Sequence, residues 1–174
     1  PPKVNVNLSA RQFMRSQLAA ETGLLASGLS CPTHLINLEI TESAILFDKD
    51  LAMATLEQLH AQGFELSMDD FGTGFSSLSY LLRFPFDNIK IDRSFITPLV
   101  MEPRAATIVA AILGLAGNLD KRIVAEGIET PEQLAILRQL GCAYGQGYLF
   151  SPPVDAEAAE AMLTDHPWGS LKPA

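Results

Sequence analysis

Six short segments of this chain end in a side chain that can ligate a cation or carry a proton: Asn7, Glu39, Asp69 with Asp70, Lys90 with Asp92, Glu126 and Gln146. Asp and Glu are mostly exposed in folded proteins, so one such acid says little. Six successive segments ending alike point to a shared site. Gathering several carboxylates in one place is costly unless a cation neutralises them or their pKa values move. A divalent metal ion is therefore implied by the charge count alone. Oxygen-rich donors favour Mg²⁺ or Mn²⁺, and the lack of any Cys/His cluster argues against zinc.

The densest of these segments runs Asp69-Asp70-Phe71-Gly72-Thr73-Gly74-Phe75-Ser76-Ser77-Leu78. Two adjacent acids face one site only where the chain is already turning, and Gly72 and Gly74 permit such a turn. Paired inward carboxylates suit a bridge between two metals. In phosphodiester hydrolysis, two ions roughly 3.5 to 4 Å apart stabilise the attacking and leaving oxygens. The Asp-Phe-Gly triplet also occurs in protein kinases, but no glycine-rich phosphate loop or catalytic-loop signature accompanies it here, and that reading is discarded.

The elements that must position these residues follow from their flanks. Val4-Asn5-Val6-Asn7-Leu8, Ile36-Asn37-Leu38-Glu39-Ile40 and Ile89-Lys90-Ile91-Asp92 alternate strictly between apolar and polar, so each strand has one apolar and one polar face. Strands are expected near residues 4 to 8, 35 to 41, 64 to 69, 88 to 92, 122 to 126 and 144 to 149. Helices are expected over Gln12 to Leu25, Leu51 to Gln62, Ala105 to Leu119, Pro131 to Leu140 and Ala156 to Leu163. Strands alternating with helices give a parallel α/β fold. An open doubly wound sheet would show continuous apolar strands. A barrel with a polar upper interior fits the alternation better, because barrel enzymes carry their chemistry at the carboxyl ends of the strands. Six strand-helix units are visible where a closed TIM-like barrel has eight in about 250 residues, so about two units are expected to precede residue 1.

Local signals sharpen the boundaries. Gly63 and Gly141 fit caps that end helices, Pro103 and Pro131 sit at helix starts, and Thr130 with Gln133 has the spacing of a capping box. The stretch from Asp165 to Ala174 is expected to be an extended tail, which leaves residues 1–164 as the C-terminal part of one domain.

Composition narrows the function classes. The chain has 174 residues, 48% of them hydrophobic, enough for one sizeable core and unlike a disordered segment. A net charge of -8 excludes a nucleic-acid polymer as partner, since phosphate backbones are held by basic patches. No apolar run is long enough to span a bilayer, and the start lacks signal-peptide organisation. Cys31 and Cys142 show no CxxC spacing and read as reduced thiols in a cytoplasmic protein. His34, His60 and His166 form no motif.

Six motifs then appear in order: Asn7-Leu8-Ser9-Ala10-Arg11-Gln12-Phe13, Leu38-Glu39-Ile40-Thr41-Glu42-Ser43, Asp69-Asp70-Phe71-Gly72-Thr73-Gly74, Lys90-Ile91-Asp92-Arg93-Ser94-Phe95, Ala125-Glu126-Gly127-Ile128-Glu129-Thr130 and Gln146-Gly147-Tyr148-Leu149-Phe150. Together, over about residues 4 to 163, they closely resemble the EAL-domain family, bacterial phosphodiesterases that cut cyclic di-GMP. The resemblance implies that Asn7, Glu39 and Asp69 ligate a first metal, and that Asp69, Asp70 and Glu126 hold a second. Lys90 matches the lysine that contacts the attacking water, and Gln146 a glutamine of the site. Asp92 shares the inward face with Lys90 and is expected at the substrate. Glu42 matches a glutamate that steadies the loop after Asp70, a loop the family uses to couple dimer packing to activity. Arg11 and Glu129 match family motifs without an assigned role.

The reaction so implied is hydrolysis of one 3′,5′-phosphodiester bond of cyclic di-GMP to linear pGpG by metal-activated water. A homodimer, and accompanying GGDEF or sensory domains, are the implied partners. The Glu-Ala-Leu signature itself, whose glutamate is a metal ligand in the family, is not in this sequence. The rival readings are therefore a receptor that binds cyclic di-GMP without cutting it, and a regulatory scaffold.

Overall fold

Apolar residues at alternate positions let a strand bury one face against a helix, and the computed structural model, which describes residues 2–73 and 78–165, shows this for the central strands, whereas Val4 and Val6 of the first remain exposed. Six strands form one parallel sheet in chain order: β1 (Val4–Leu8), β2 (Ile36–Thr41), β3 (Glu65–Phe71), β4 (Asn88–Ile91), β5 (Arg122–Ala125) and β6 (Tyr144–Gly145). Nine helices are described: α1 (Ala10–Phe13), α2 (Leu18–Gly28), α3 (Glu42–Phe47), α4 (Lys49–Ala61), α5 (Leu78–Arg83), α6 (Arg93–Ile96), α7 (Pro103–Asn118), α8 (Pro131–Gln139) and α9 (Ala156–Asp165). Short 3₁₀ turns occupy Thr33–Leu35 and Thr97–Val100. The result is the α/β half-barrel expected from the alternation, with β1 and β6 at its two edges.

The core lies between sheet and helices. Leu38, Ile40, Leu66, Met68, Ile89, Ile91, Ile123 and Ala125 on the strands meet Ala44, Ile45, Leu56, Leu59, Val109 and Leu137 on the helices. The alternate residues form the opposite, polar face. Asn37, Glu39, Ser67, Asn88 and Lys90 are all buried there, where many barrels carry branched apolar side chains.

Helices α3, α5 and α6 were not expected, and three further differences each have a local reason. The single helix over Gln12 to Leu25 is two. Ser9 and Gln12 form a capping box that starts α1 early, and Phe13 is fully buried. Turns donated by Arg15 to Gln12 and by Leu18 to Arg15 then redirect the chain into α2. The strand over 144 to 149 is only two residues long, because Ile128 N–H donates to Gln146 O and Leu149 N–H to Ile128 O, folding the segment back. β3 runs two residues past Asp69, with a register irregularity between Met68 and Phe71.

The expected caps are present. Gly63 and Gly141 have φ of 87° and 85°, and Thr130 with Gln133 forms the capping box. Cys31 and Cys142 are free thiols. No helix among the described residues is long and apolar enough to cross a membrane. Asp165, expected in the tail, is the last residue of α9. The rest of that tail, residues 166–174, lies outside the described residues, as do positions 74–77 of the Asp69–Leu78 motif.

Candidate functional site

Parallel strands present their carboxyl ends to one rim, so inward residues of β1 to β5 converge there. Asn7 stands opposite Glu39 in the β1–β2 register. Lys90 on β4 reaches across, and its Nζ lies 2.7 Å from Glu39 Oε2, 3.2 Å from Asp69 Oδ1 and 2.5 Å from Glu126 Oε1. An ammonium has three hydrogens and no acceptor. Glu39 and Glu126 receive hydrogen bonds from it and Asp69 stands within ion-pair distance, so one cation gathers acids from the ends of three different strands.

Charge is left over. Lys90 offsets one of three negative charges, and Asp70 and Asp92 add two more nearby. Burial works against the Lys90 charge, yet hydrogen bonds to Glu126 and Glu39 outweigh it and hold the ammonium above its ordinary range. Burial pushes the Glu126 carboxyl up, with Asp69 and Glu39 adding to the rise and Lys90 opposing it. Asp70 is also raised, by burial first and then by the charges of Asp69 and Asp92.

Asp70 is placed by strain. It has φ of 56°, a left-handed conformation that costs energy for a residue with a Cβ and clusters at functional sites. Its own N–H donates to Asp69 Oδ1 at 3.0 Å, and Gly72 follows at φ 96°. The register irregularity between Met68 and Phe71 thus turns two consecutive acids toward the rim.

These residues fit a divalent cation. The donors are oxygens on different strands, their negative charge exceeds that of the one buried cation, and Glu39 Oε1 is buried without a hydrogen-bond partner among the described residues. An orphaned carboxylate oxygen is costly unless something occupies it. Among the described residues, no three Asp, Glu, His or Cys side chains are already arranged as a cage; the Lys90 ammonium sits among the carboxylates.

Beside this cluster opens a cleft of about 650 Å³. Asp70, Asp92, Glu126 and Gln146 line it, so four of the residues singled out by sequence share one wall. Asp92 also caps α6, its Oδ1 accepting from Ser94 N at 3.0 Å; burial opposes its charge, but the Ser94 and Arg93 hydrogen bonds dominate and lower its pKa. Glu42 lies elsewhere. It is buried at the first position of α3 and does not line the cleft.

Sequence reasoning gave no role to Arg93, Glu129 and Tyr148, which also line the cleft. Arg93 follows a strand-end acid directly and brings positive charge to an acidic cleft. That position was the available signal. Arg11, by contrast, sits on α1 outside the cleft lining.

The EAL domain family is matched over residues 1–153. This chain belongs to the EAL domain family. It is 40% identical over 171 residues to the cyclic di-GMP phosphodiesterase NbdA of Pseudomonas aeruginosa, a match covering 98% of this chain and 22% of that protein. The chain thus spans about a fifth of the length of such curated relatives. The PaMucR phosphodiesterase, solved as a c-di-GMP complex, superposes with a TM-score of 0.86 at 43% identity, over 90% of this chain and 64% of that one. Klebsiella pneumoniae BlrP1, solved with manganese and cyclic di-GMP, superposes with a TM-score of 0.81 at 29% identity, over 87% of this EAL chain and 39% of that one.

Proposed function

We propose that this EAL domain hydrolyses one phosphodiester bond of cyclic di-GMP to give pGpG, using divalent ions, Mg²⁺ or Mn²⁺, at the rim described above. The observation that carries the reading is the convergence of Glu39, Asp69 and Glu126 on Lys90 at the carboxyl ends of four neighbouring strands. Asn7, Glu39 and Asp69 would hold one ion, and Asp69, Asp70 and Glu126 the other. When bound, such ions polarise the phosphoryl group and lower the pKa of water.

The protein's own groups do the remaining work. Lys90 keeps the three carboxylates together and turns an N–H bond toward the attacking water. Asp92 and Gln146, on the cleft wall, position the nucleotide. Arg93 offers its guanidinium to a phosphate, a pairing its planar fork suits. Glu42 steadies the loop after Asp70 from the start of α3.

The full-length protein is proposed to work as a homodimer in the cytoplasm, joined to GGDEF or sensory domains; the length of its relatives supports the further domains. Residues 1–164 form the catalytic part. The Asp69→Asn variant of the full-length protein tests the metal assignment, because Asp69 serves both ions. Loss of pGpG formation with cyclic di-GMP binding retained is expected, and unchanged turnover would overturn it. Tight nucleotide binding without product in the unaltered protein would instead make it a receptor.

A further inference from the structure

Two residues before each of Glu39, Asp69 and Lys90 stands a buried polar residue that the proposed reaction does not use: Asn37, Ser67 and Asn88. Their side chains close a ring across three strands. Ser67 Oγ donates to Asn37 Oδ1 at 2.9 Å, Asn88 Nδ2 donates to Ser67 Oγ at 3.0 Å, and Asn88 Nδ2 also reaches Asn37 Oδ1 at 3.3 Å. Asn37 Nδ2 extends the ring to β1 by donating to Asn5 Oδ1 at 3.1 Å. Ser67 is wholly inaccessible to solvent, so an alternative partner in water is denied it.

The position of the ring matters as much as its bonds. Ser67 and Asn88 are register partners at the last regular stretch of the β3–β4 pairing, and the irregularity that places Asp69 and Asp70 begins one residue later, after Met68. A strand about to leave its register can slip, and a slip of one residue would turn Asp69 from the inner face to the outer. Branched apolar side chains would fill this layer without specifying height along the strands. Hydrogen bonds of fixed length do specify it.

We propose that the Asn37, Ser67 and Asn88 ring is a positioning device: it locks the heights of β2, β3 and β4 so that Glu39, Asp69 and Lys90 meet at the rim, and it does so immediately beneath the Asp69–Asp70 irregularity. The proposal rests on the metal-dependent hydrolase reading for its kinetic consequence, but not for its effect on ion binding. Groups that orient metal ligands change affinity or activity by about 10- to 100-fold when removed.

The test uses the full-length protein with Ser67→Ala, Ser67→Thr and Asn88→Ser, and with Leu66→Val, which loosens the outer face of the same strand. Mn²⁺ binding is read by electron paramagnetic resonance of the free ion, turnover by pGpG release, and folding by Tm. Ser67→Ala is expected to weaken Mn²⁺ binding by about tenfold or more and to lower kcat similarly, with KM for cyclic di-GMP within about twofold. Ser67→Thr, which keeps the hydroxyl, restores most of both, and Leu66→Val lowers Tm while leaving Mn²⁺ binding in place. Asn88→Ser, which removes the Nδ2 donor and leaves Ser67 in place, carries the test if Ser67→Ala does not fold. A folded ring variant whose Mn²⁺ binding and kcat stay within twofold of the unaltered protein would overturn the proposal. Unaltered protein that binds Mn²⁺ but forms no product would overturn the hydrolase reading alone, and the loss of Mn²⁺ binding in Ser67→Ala would still support the ring.

Discussion

Lys90 carries more of the site than any other described residue, because its one buried ammonium pairs with three acids. Replacing it by methionine removes the charge while keeping the length. Breaking a buried ion pair by deleting one partner costs about 3–5 kcal/mol, so Lys90→Met should lower the Tm of metal-free protein by roughly 10 °C. Adding Mn²⁺ should recover part of that loss, since the ions take over the neutralisation, whereas turnover should not return. Calorimetry with and without Mn²⁺ checks the first claim and pGpG release the second. Lys90 and Glu39 were legible in the sequence because they interrupt apolar runs at every second position, a pattern with one physical meaning on a half-buried strand. Arg93 and Tyr148 were less legible, because the first residue of a one-turn helix and a turn residue have no periodicity to mark the side they face.

At the scale of elements, the cleft wall depends on how closely β6 and its turn approach the segment after β5. A Cβ added at Gly147 would stand 2.1 Å from Ile128 O and 2.3 Å from Ile128 N, and backbone cannot step aside as a flexible side chain can. Gly147→Ala should therefore push the Gln146–Tyr148 turn away from Ile128, at a cost of about 1–3 kcal/mol. The expected readout is a KM for cyclic di-GMP raised several-fold, with Mn²⁺ binding unchanged at the ion assigned to Asn7, Glu39 and Asp69, because strands β1 to β3 are untouched. The break between α1 and α2 had a sequence signal in Ser9 and Gln12, whose capping-box spacing marks a helix start ahead of Gln12. The irregularity in β3 had a weaker one. Gly72 announces a turn and has a positive φ, but Asp70 before it is left-handed too, and its strain is maintained by packing that no local pattern encodes.

Across the whole molecule, the polar face continues to the amino ends of the strands, where Glu65 pairs with Lys3 and with Arg122 at 2.9 Å. Burial alone would raise the Glu65 pKa, but hydrogen bonds to Lys3 and Arg122 outweigh it and the value is lowered. A carboxylate with a depressed folded-state pKa stabilises the protein above its unfolded pKa, and that stability is lost as pH falls through the folded value. Glu65→Gln should thus cost about 0.5–1 kcal/mol at pH 7, modest because the pairs are partly exposed. The difference should shrink below the ordinary value of 4.5 and vanish once Glu65 is protonated in the folded protein. Melting curves of both forms across that range check it. The parallel α/β fold, the inward polar face and the family were all readable from alternation and motif order. The charge count predicted a cation, and the structure places Lys90 among the carboxylates, with Glu39 Oε1 still lacking a partner among the described residues.

The most direct measurement of the central claim is chromatographic detection of pGpG after the full-length protein meets cyclic di-GMP with Mn²⁺, beside the same reaction in excess chelator. Product that forms with Mn²⁺, stops with chelator and resumes when the ion is restored is the predicted result. Product at the same rate in both, or none from folded protein with Mn²⁺ bound, would contradict it.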